Sequence, residues 1–96
     1  MDREEILVRL KDVKPLLAEK YGVKALALFG SYSRGEETES SDIDLFIELS
    51  QNKADLFFNC AFILQDLFQS KKVEVVTKDA LKPQYYEAIK QDLIYA

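Results

Sequence analysis

The most constraining feature of the sequence is a small polar turn that separates two apolar runs. The turn begins at Gly30-Ser31, and the second run opens with Asp42 and Asp44, eleven and thirteen residues after Ser31. Side chains alternate between the two faces of a strand, so Asp42 and Asp44 should share one sheet face. Two neighbouring carboxylates repel each other, and such a pair persists most readily beside a cation. The pattern therefore predicts a strand, a turn and a second strand that carries a cation site.

This pattern, G-S-x-x-x-G-x(6)-D-x-D with Arg34 inside it, resembles the nucleotidyltransferase superfamily that includes the polymerase beta-like enzymes. It is most similar to the minimal nucleotidyltransferases (MNT), and the similarity covers roughly residues 22–82. The resemblance implies that Gly30, Ser31 and Arg34 bind the nucleotide. It also implies that Asp42 and Asp44 are catalytic and bind a divalent metal.

A third carboxylate on a later strand completes the site in that family. The segment around Glu74 resembles this strand, although Glu74 stands where family members usually carry Asp. Glu74 is accordingly predicted as a metal ligand or as the base that takes a proton from the acceptor. Its carboxylate lies about 1.5 Å further from the backbone than that of an aspartate, so catalysis should be more sensitive to this replacement than nucleotide binding.

The resemblance implies a Mg²⁺-dependent nucleotidyltransferase, with two ions expected and Mn²⁺ as an alternative. The reaction would move AMP from ATP to a hydroxyl, expected to be a tyrosine of a helical HEPN-type partner, in a toxin-antitoxin pair. One alternative is a nucleotide-binding, catalytically weak module that inhibits or complements a partner subunit by contact. Another is a transferase acting on a small hydroxylated molecule held by a partner subunit.

Size and composition narrow these possibilities. The 96 residues predict one minimal nucleotidyltransferase domain, and homo-oligomers remain possible. A net charge of −4 argues against direct binding of nucleic acid by a broad basic face. With no histidine and only Cys60, a His/Cys zinc site is excluded, so a functional metal should be oxygen-ligated. The lone cysteine, predicted to be a core residue, and the lack of a membrane-length apolar segment predict a cytoplasmic protein.

Hydrophobic periodicity predicts helix, strand, strand, helix, strand, helix, which suits an α/β or α+β fold with a small mixed sheet flanked by helices. The first helix should span about residues 3–20, with Pro15 kinking or breaking it and Gly22 ending it. The second should be capped within residues 50–52 and run to about residue 69. Pro83 should open a last helix that includes Leu93.

Some side chains also have structural interpretations. Arg34 could pair with Glu36 or Glu37 on the surface instead of binding phosphate, and Glu74 could simply face solvent. Four phenylalanines of the second helix are expected in the core or at a partner contact, namely Phe57, Phe58, Phe62 and Phe68.

Overall fold

A computed structural model describes all residues, 1–96. It confirms an α/β arrangement in which a four-stranded mixed sheet is flanked by helices. The elements in chain order are α1 (Arg3–Tyr21), β1 (Val23–Phe29), α2 (Ser31–Arg34), β2 (Ile43–Leu49), α3 (Ala54–Leu67), β3 (Val73–Thr77), a 3₁₀ turn (Lys78–Ala80), α4 (Pro83–Lys90) and β4 (Ile94–Tyr95). None of the helices combines the length and the apolar character that a membrane crossing requires.

Helix α1 has well-defined ends. The Asp2 side chain accepts a hydrogen bond from the Glu5 amide at 3.0 Å, and Gly22 closes the helix in the left-handed conformation at φ 72°. Pro15 does not break the helix, contrary to one of the two outcomes predicted. Pro15 and Lys11 both lie on the exposed side, so water can hydrate the Lys11 carbonyl that loses its partner.

The strands are ordered β3-β2-β1-β4 in the sheet. Strand β1 runs antiparallel to β2 and to β4, whereas β2 and β3 are parallel and joined through α3. The register places Phe29 beside Asp44, and Asp44 beside Glu74. Residues that are thirty positions apart in sequence therefore become direct neighbours at one end of the sheet.

One face of the sheet forms the core with α1 and α3. Strand β2 contributes Ile43, Leu45 and Ile47 to it, each fully buried. Because side chains alternate, the residues between them project to the opposite face. The fully buried core side chains outside β2 include Ile6, Leu10, Leu17, Leu26, Leu28, Cys60, Leu64 and Phe68. Cys60 thus has the predicted place in the core, and burial raises the pKa of its thiol.

Helix α3 differs from the prediction at its start. It begins at Ala54 after Lys53, which provides no side-chain cap, so the expected cap within residues 50–52 is wrong. The expectation for the phenylalanines divides: Phe68 is fully buried and Phe57 packs against the core, whereas Phe58 and Phe62 are 66% and 75% exposed.

The C-terminal region contains one strand that periodicity did not reveal. Pro83 opens α4 as predicted, but the helix ends at Lys90 and Leu93 lies outside it. The chain then turns into β4, where Tyr95 pairs with Ala27 and Ile94 with Leu28. Two residues are too few to show an alternating pattern, so only the edge of β1 defines this strand.

Candidate active site

Gly30 lies at the end of β1 and starts the polar turn, which is the single helical turn α2. Its backbone has φ 78° and ψ −155°, a region that side chains other than glycine rarely occupy. A Cβ atom at this position would lie 2.3 Å from Asp44 Oδ2. Glycine is therefore required twice, once by the backbone conformation and once by the carboxylate packed against it.

Ser31 follows as the first residue of α2, and its hydroxyl makes no hydrogen bond within the protein. The first amides of a helix have no intrahelical acceptor. Ser31 can therefore offer both an N–H and an O–H to a ligand. Behind it the turn is anchored, because the Arg3 Nη1 donates to the Ser33 carbonyl at 2.9 Å.

The carboxylates lie next to this turn on the sheet face opposite the core. Asp44 follows the buried Ile43, so its side chain leaves the sheet on the other side, and its register neighbour Glu74 has the same orientation. Asp42 immediately precedes β2 and is partly buried. The structure thus brings Gly30, Asp42, Asp44 and Glu74 together at one end of the sheet, as the sequence pattern predicts.

The charges of this cluster are not balanced. Partial burial raises the pKa of Asp44 to about 6, and the negative charges of Glu74 and Asp42 add to the effect. The positive charge of Arg34 acts in the opposite direction but is too weak to cancel them. A carboxylate held beside two others in this way gains strongly from a bound cation.

The chemistry of these residues fits an oxygen-ligated divalent metal. Only carboxylate oxygens are present, which suits Mg²⁺ or Mn²⁺, and the missing Cβ of Gly30 lets the Asp44 carboxylate lie directly against the backbone of the turn. The side chains are not gathered into a finished site, because no three acidic residues are grouped closely enough to hold an ion jointly. Glu74 is half exposed and pairs with Lys72 Nζ at 3.4 Å, although its charge has a larger effect on the pKa of Asp44 than the charge of Asp42 has.

Arg34 occupies the end of α2 and is bound by two carboxylates. Its Nε donates to Glu36 Oε1 and its Nη1 to Asp92 Oδ2, both at 2.7 Å. These bonds raise the pKa of Arg34, Glu36 contributing most. The surface pairing considered from sequence is thus observed with Glu36, and Glu37 is not the partner.

Asp92 is the residue at this site that sequence reasoning missed. It lies 58 positions after Arg34, in the short segment between α4 and β4 that was predicted as helix. No local motif contains it, so the pairing of β4 with β1 is what brings it to the turn.

Helix α4 covers the sheet beside the carboxylates. Phe46 follows Asp44 by two residues and so shares its face, yet it is only 1% exposed because the Tyr86 ring lies over it at 6.0 Å. The Lys78 ammonium lies 5.6 Å from the centre of the Tyr86 ring. Phe46 and Tyr86 therefore border the carboxylates on this side.

Comparison with known proteins gives consistent matches over nearly the whole chain. The nucleotidyltransferase domain family matches residues 10–96. A Methanocaldococcus jannaschii protein, provisionally assigned as a protein adenylyltransferase, is 45% identical over 93 residues, which cover 95% of this chain and 94% of that protein.

Two solved structures share the fold. A provisionally assigned minimal nucleotidyltransferase superposes with a TM-score of 0.82 at 27% identity, covering 98% of this chain and 95% of that one. The complex of a tri-AMPylated Shewanella oneidensis HEPN toxin with an MNT antitoxin contains a chain that matches with a TM-score of 0.66 at 15% identity. That match covers 94% of this chain and 70% of the other.

Proposed function

This chain belongs to the nucleotidyltransferase domain family, and from that premise we propose that it transfers AMP from ATP to a hydroxyl group of a partner protein. The observation that carries the proposal is the convergence of Asp42, Asp44 and Glu74 beside the Gly30-Ser31 turn. Phosphate groups and acidic side chains repel each other, so this combination is useful chiefly to a protein that binds a metal-nucleotide complex.

Asp42 and Asp44 would hold the divalent cation, and Glu74 would complete the ligand set after it leaves Lys72. Two ions are expected, with Mg²⁺ preferred and Mn²⁺ as a substitute. When bound, the metal supplies positive charge for the triphosphate and lowers the pKa of the acceptor hydroxyl.

The chain's own residues bind and orient the triphosphate. Gly30 allows the backbone to approach the phosphates, and Ser31 donates hydrogen bonds from its amide and hydroxyl. Arg34 contributes positive charge near the phosphates that leave. In the transfer itself, a bond forms between the acceptor oxygen and the α-phosphorus, the bond from that phosphorus to the β-bridging oxygen breaks, and pyrophosphate departs. Glu74 is well placed to accept the hydroxyl proton, because it is the most exposed of the three carboxylates.

We propose a HEPN-type protein as the partner, with a tyrosine as the acceptor and this chain as the antitoxin of the pair. The proposal is supported by the 45% identical relative, provisionally assigned as a protein adenylyltransferase. It is also supported by the fold shared with the MNT antitoxin bound to a tri-AMPylated HEPN toxin. The 96 residues would form a single domain that depends on its partner for the acceptor, and the reaction's use of ATP together with the free Cys60 thiol suits the cytoplasm.

The position of Glu74 favours one second candidate, a nucleotide-binding module that inhibits its partner by contact. Its carboxylate pairs with Lys72, and no three acidic groups are gathered into a finished metal site. In that case metal and nucleotide would bind through Asp42 and Asp44, while transfer would be slow or absent.

Intact-mass analysis of the co-purified partner after incubation with ATP and Mg²⁺ separates the candidates. The AMP-transfer proposal expects additions of one AMP mass that disappear in the Asp42→Asn, Asp44→Asn double variant. The exposed Glu87→Gln change on α4 controls for altered charge. A wild-type protein that blocks its partner without adding mass would instead support the binding module.

A further inference from the structure

We propose that Asp92 is a positioning residue for the triphosphate, acting through Arg34. This inference rests on the function proposed above and assigns a role to the segment between α4 and β4. The segment contacts the nucleotide turn at two points: the Asp92 carboxylate accepts from Arg34 Nη1 at 2.7 Å, and the Asp92 carbonyl accepts from the Ser33 hydroxyl. The C-terminal segment thus fastens both the backbone and the functional side chain of α2.

Asp92 is itself held firmly. Its amide donates to the Ile89 carbonyl at 2.9 Å, and two residues later β4 pairs with β1. The Asp92 side chain is 22% exposed, compared with 65% for Glu36, the other partner of Arg34. Glu36 follows Arg34 in the same polar turn and would move with it. Asp92 directly precedes β4, which is part of the sheet. Only Asp92 can therefore fix Arg34 relative to the strands that carry the carboxylates.

The geometry of the guanidinium leaves part of it available. Nε and Nη1 are engaged, but Nη2 makes no hydrogen bond or ion pair, and the charge of Arg34 acts on Asp44. An arginine side chain loses rotamer entropy when it binds a ligand, and an arginine already held in place loses less. Asp92 would therefore prepare Nη2 for the β- and γ-phosphates before ATP arrives.

The opposite arrangement, which we call a latch, is one in which the Asp92 carboxylate competes with phosphate for Arg34 and so opposes nucleotide binding. The two arrangements predict opposite effects for Asp92→Asn, which removes the negative charge but keeps the backbone bond from Ser33 and should therefore preserve the fold. Positioning predicts weaker ATP binding in the variant, and a latch predicts tighter binding.

The test is calorimetric titration of Mg·ATP into the wild type, Asp92→Asn and the charge control Glu87→Gln, with circular dichroism as the check on folding. We expect Asp92→Asn to raise the Kd for ATP about three- to tenfold, less than the loss of a charge-assisted hydrogen bond to ATP itself would cause, because Arg34 is still present to bind the phosphates, and Glu87→Gln to have no effect. AMP lacks the β- and γ-phosphates, so its affinity, followed by NMR titration, should be unchanged.

Dependence on Arg34 provides the decisive comparison. In an Arg34→Ala background, Asp92→Asn should have no further effect on ATP affinity, because the positioning acts through that side chain. An unchanged or lower Kd in Asp92→Asn overturns the proposal, as does an equal loss of ATP and AMP affinity. If the wild type fails to bind Mg·ATP at all, the proposed function fails first and this inference falls with it.

Discussion

Replacing Asp44 with asparagine should make the metal-free protein more stable while abolishing its affinity for the metal-nucleotide complex. The pKa of Asp44 is raised to about 6 by burial and by the charges of Glu74 and Asp42, whereas an unfolded chain holds an aspartate at about 3.9. The folded state therefore disfavours the ionised carboxylate. Asparagine has nearly the same shape and no charge, so the variant avoids this penalty.

The size of the effect follows from the two pKa values. A difference of about two pH units corresponds to about 3 kcal/mol at 1.36 kcal/mol per unit. This is an upper value, because Asp44 keeps some contact with water, and we expect about 1 to 2 kcal/mol after solvent screening. For a domain of this size, each kcal/mol changes Tm by about 4–8 °C.

The pH dependence distinguishes this origin from better packing. Well below pH 4, Asp44 is protonated in both states and the variant should have no advantage from charge. As the pH rises from about 4 to about 6, the unfolded chain releases the proton first, so the wild type loses stability relative to the variant. Above about pH 6 the difference should be constant.

Urea unfolding in EDTA at several pH values between 4 and 8 would measure this difference. The exposed Asp12→Asn change in α1 removes the same charge away from the cluster, so it should show no such dependence. With Mg·ATP present, the wild type should gain stability by linkage and Asp44→Asn should not. Equal or lower stability of Asp44→Asn at pH 7.5 in EDTA would refute the claim that the site is electrostatically strained.

Substitutions at Glu74, Ser31 and Gly30 test the third carboxylate and the turn. Glu74→Gln should abolish AMP transfer while preserving partner binding, and Glu74→Asp should retain or raise the transfer rate. Intact-mass analysis of the partner measures AMP transfer by each variant, and transfer that continues in Glu74→Gln would assign the acceptor proton to another group. Ser31→Ala should weaken ATP binding by a modest factor in calorimetry, since the hydroxyl is one hydrogen-bond donor among several. A nucleotide covalently attached to Ser31 in the wild type would contradict the role of Ser31 as a phosphate-binding residue. Gly30→Ala should lower the free energy of unfolding by about 2 to 4 kcal/mol, because it combines an unfavourable φ with a Cβ 2.3 Å from Asp44 Oδ2. In the control Gly35→Ala, the backbone also has φ 72°, but the new Cβ would have no atom within 4 Å, so the free energy of unfolding should fall by about 1 kcal/mol. Equal losses of stability in the two variants would show that the contact with Asp44 has no energetic weight.

Local sequence signals were sufficient for the main elements and for the residues of the cluster. The spacing from Gly30 to Asp42 and Asp44 reports a strand, a turn and a strand, since each step depends on chain neighbours and on the twofold periodicity of strands. Gly22 indicated the end of α1 and Pro83 the start of α4 for the same reason. The residues that match the motif of the family could therefore be identified before any tertiary contact was known.

Tertiary structure decided what these residues touch. The parallel register of β2 and β3 places Glu74 beside Asp44, but it does not bring three acidic groups together into a metal site, and Lys72 holds the Glu74 carboxylate. Pro15 remains within an unbroken helix because it lies on the exposed side of α1, which depends on how α1 packs.

The clearest case is Asp92. Its contact with Arg34 spans 58 residues and depends on a two-residue strand that pairs with the edge of β1. Neither partner carries a local pattern that identifies the other, since long-range pairing is determined by packing of the whole sheet and not by periodicity within a segment. The sequence by itself determined the turn and the three carboxylates of the site, and the fold determined how these side chains are held and that Asp92 joins them.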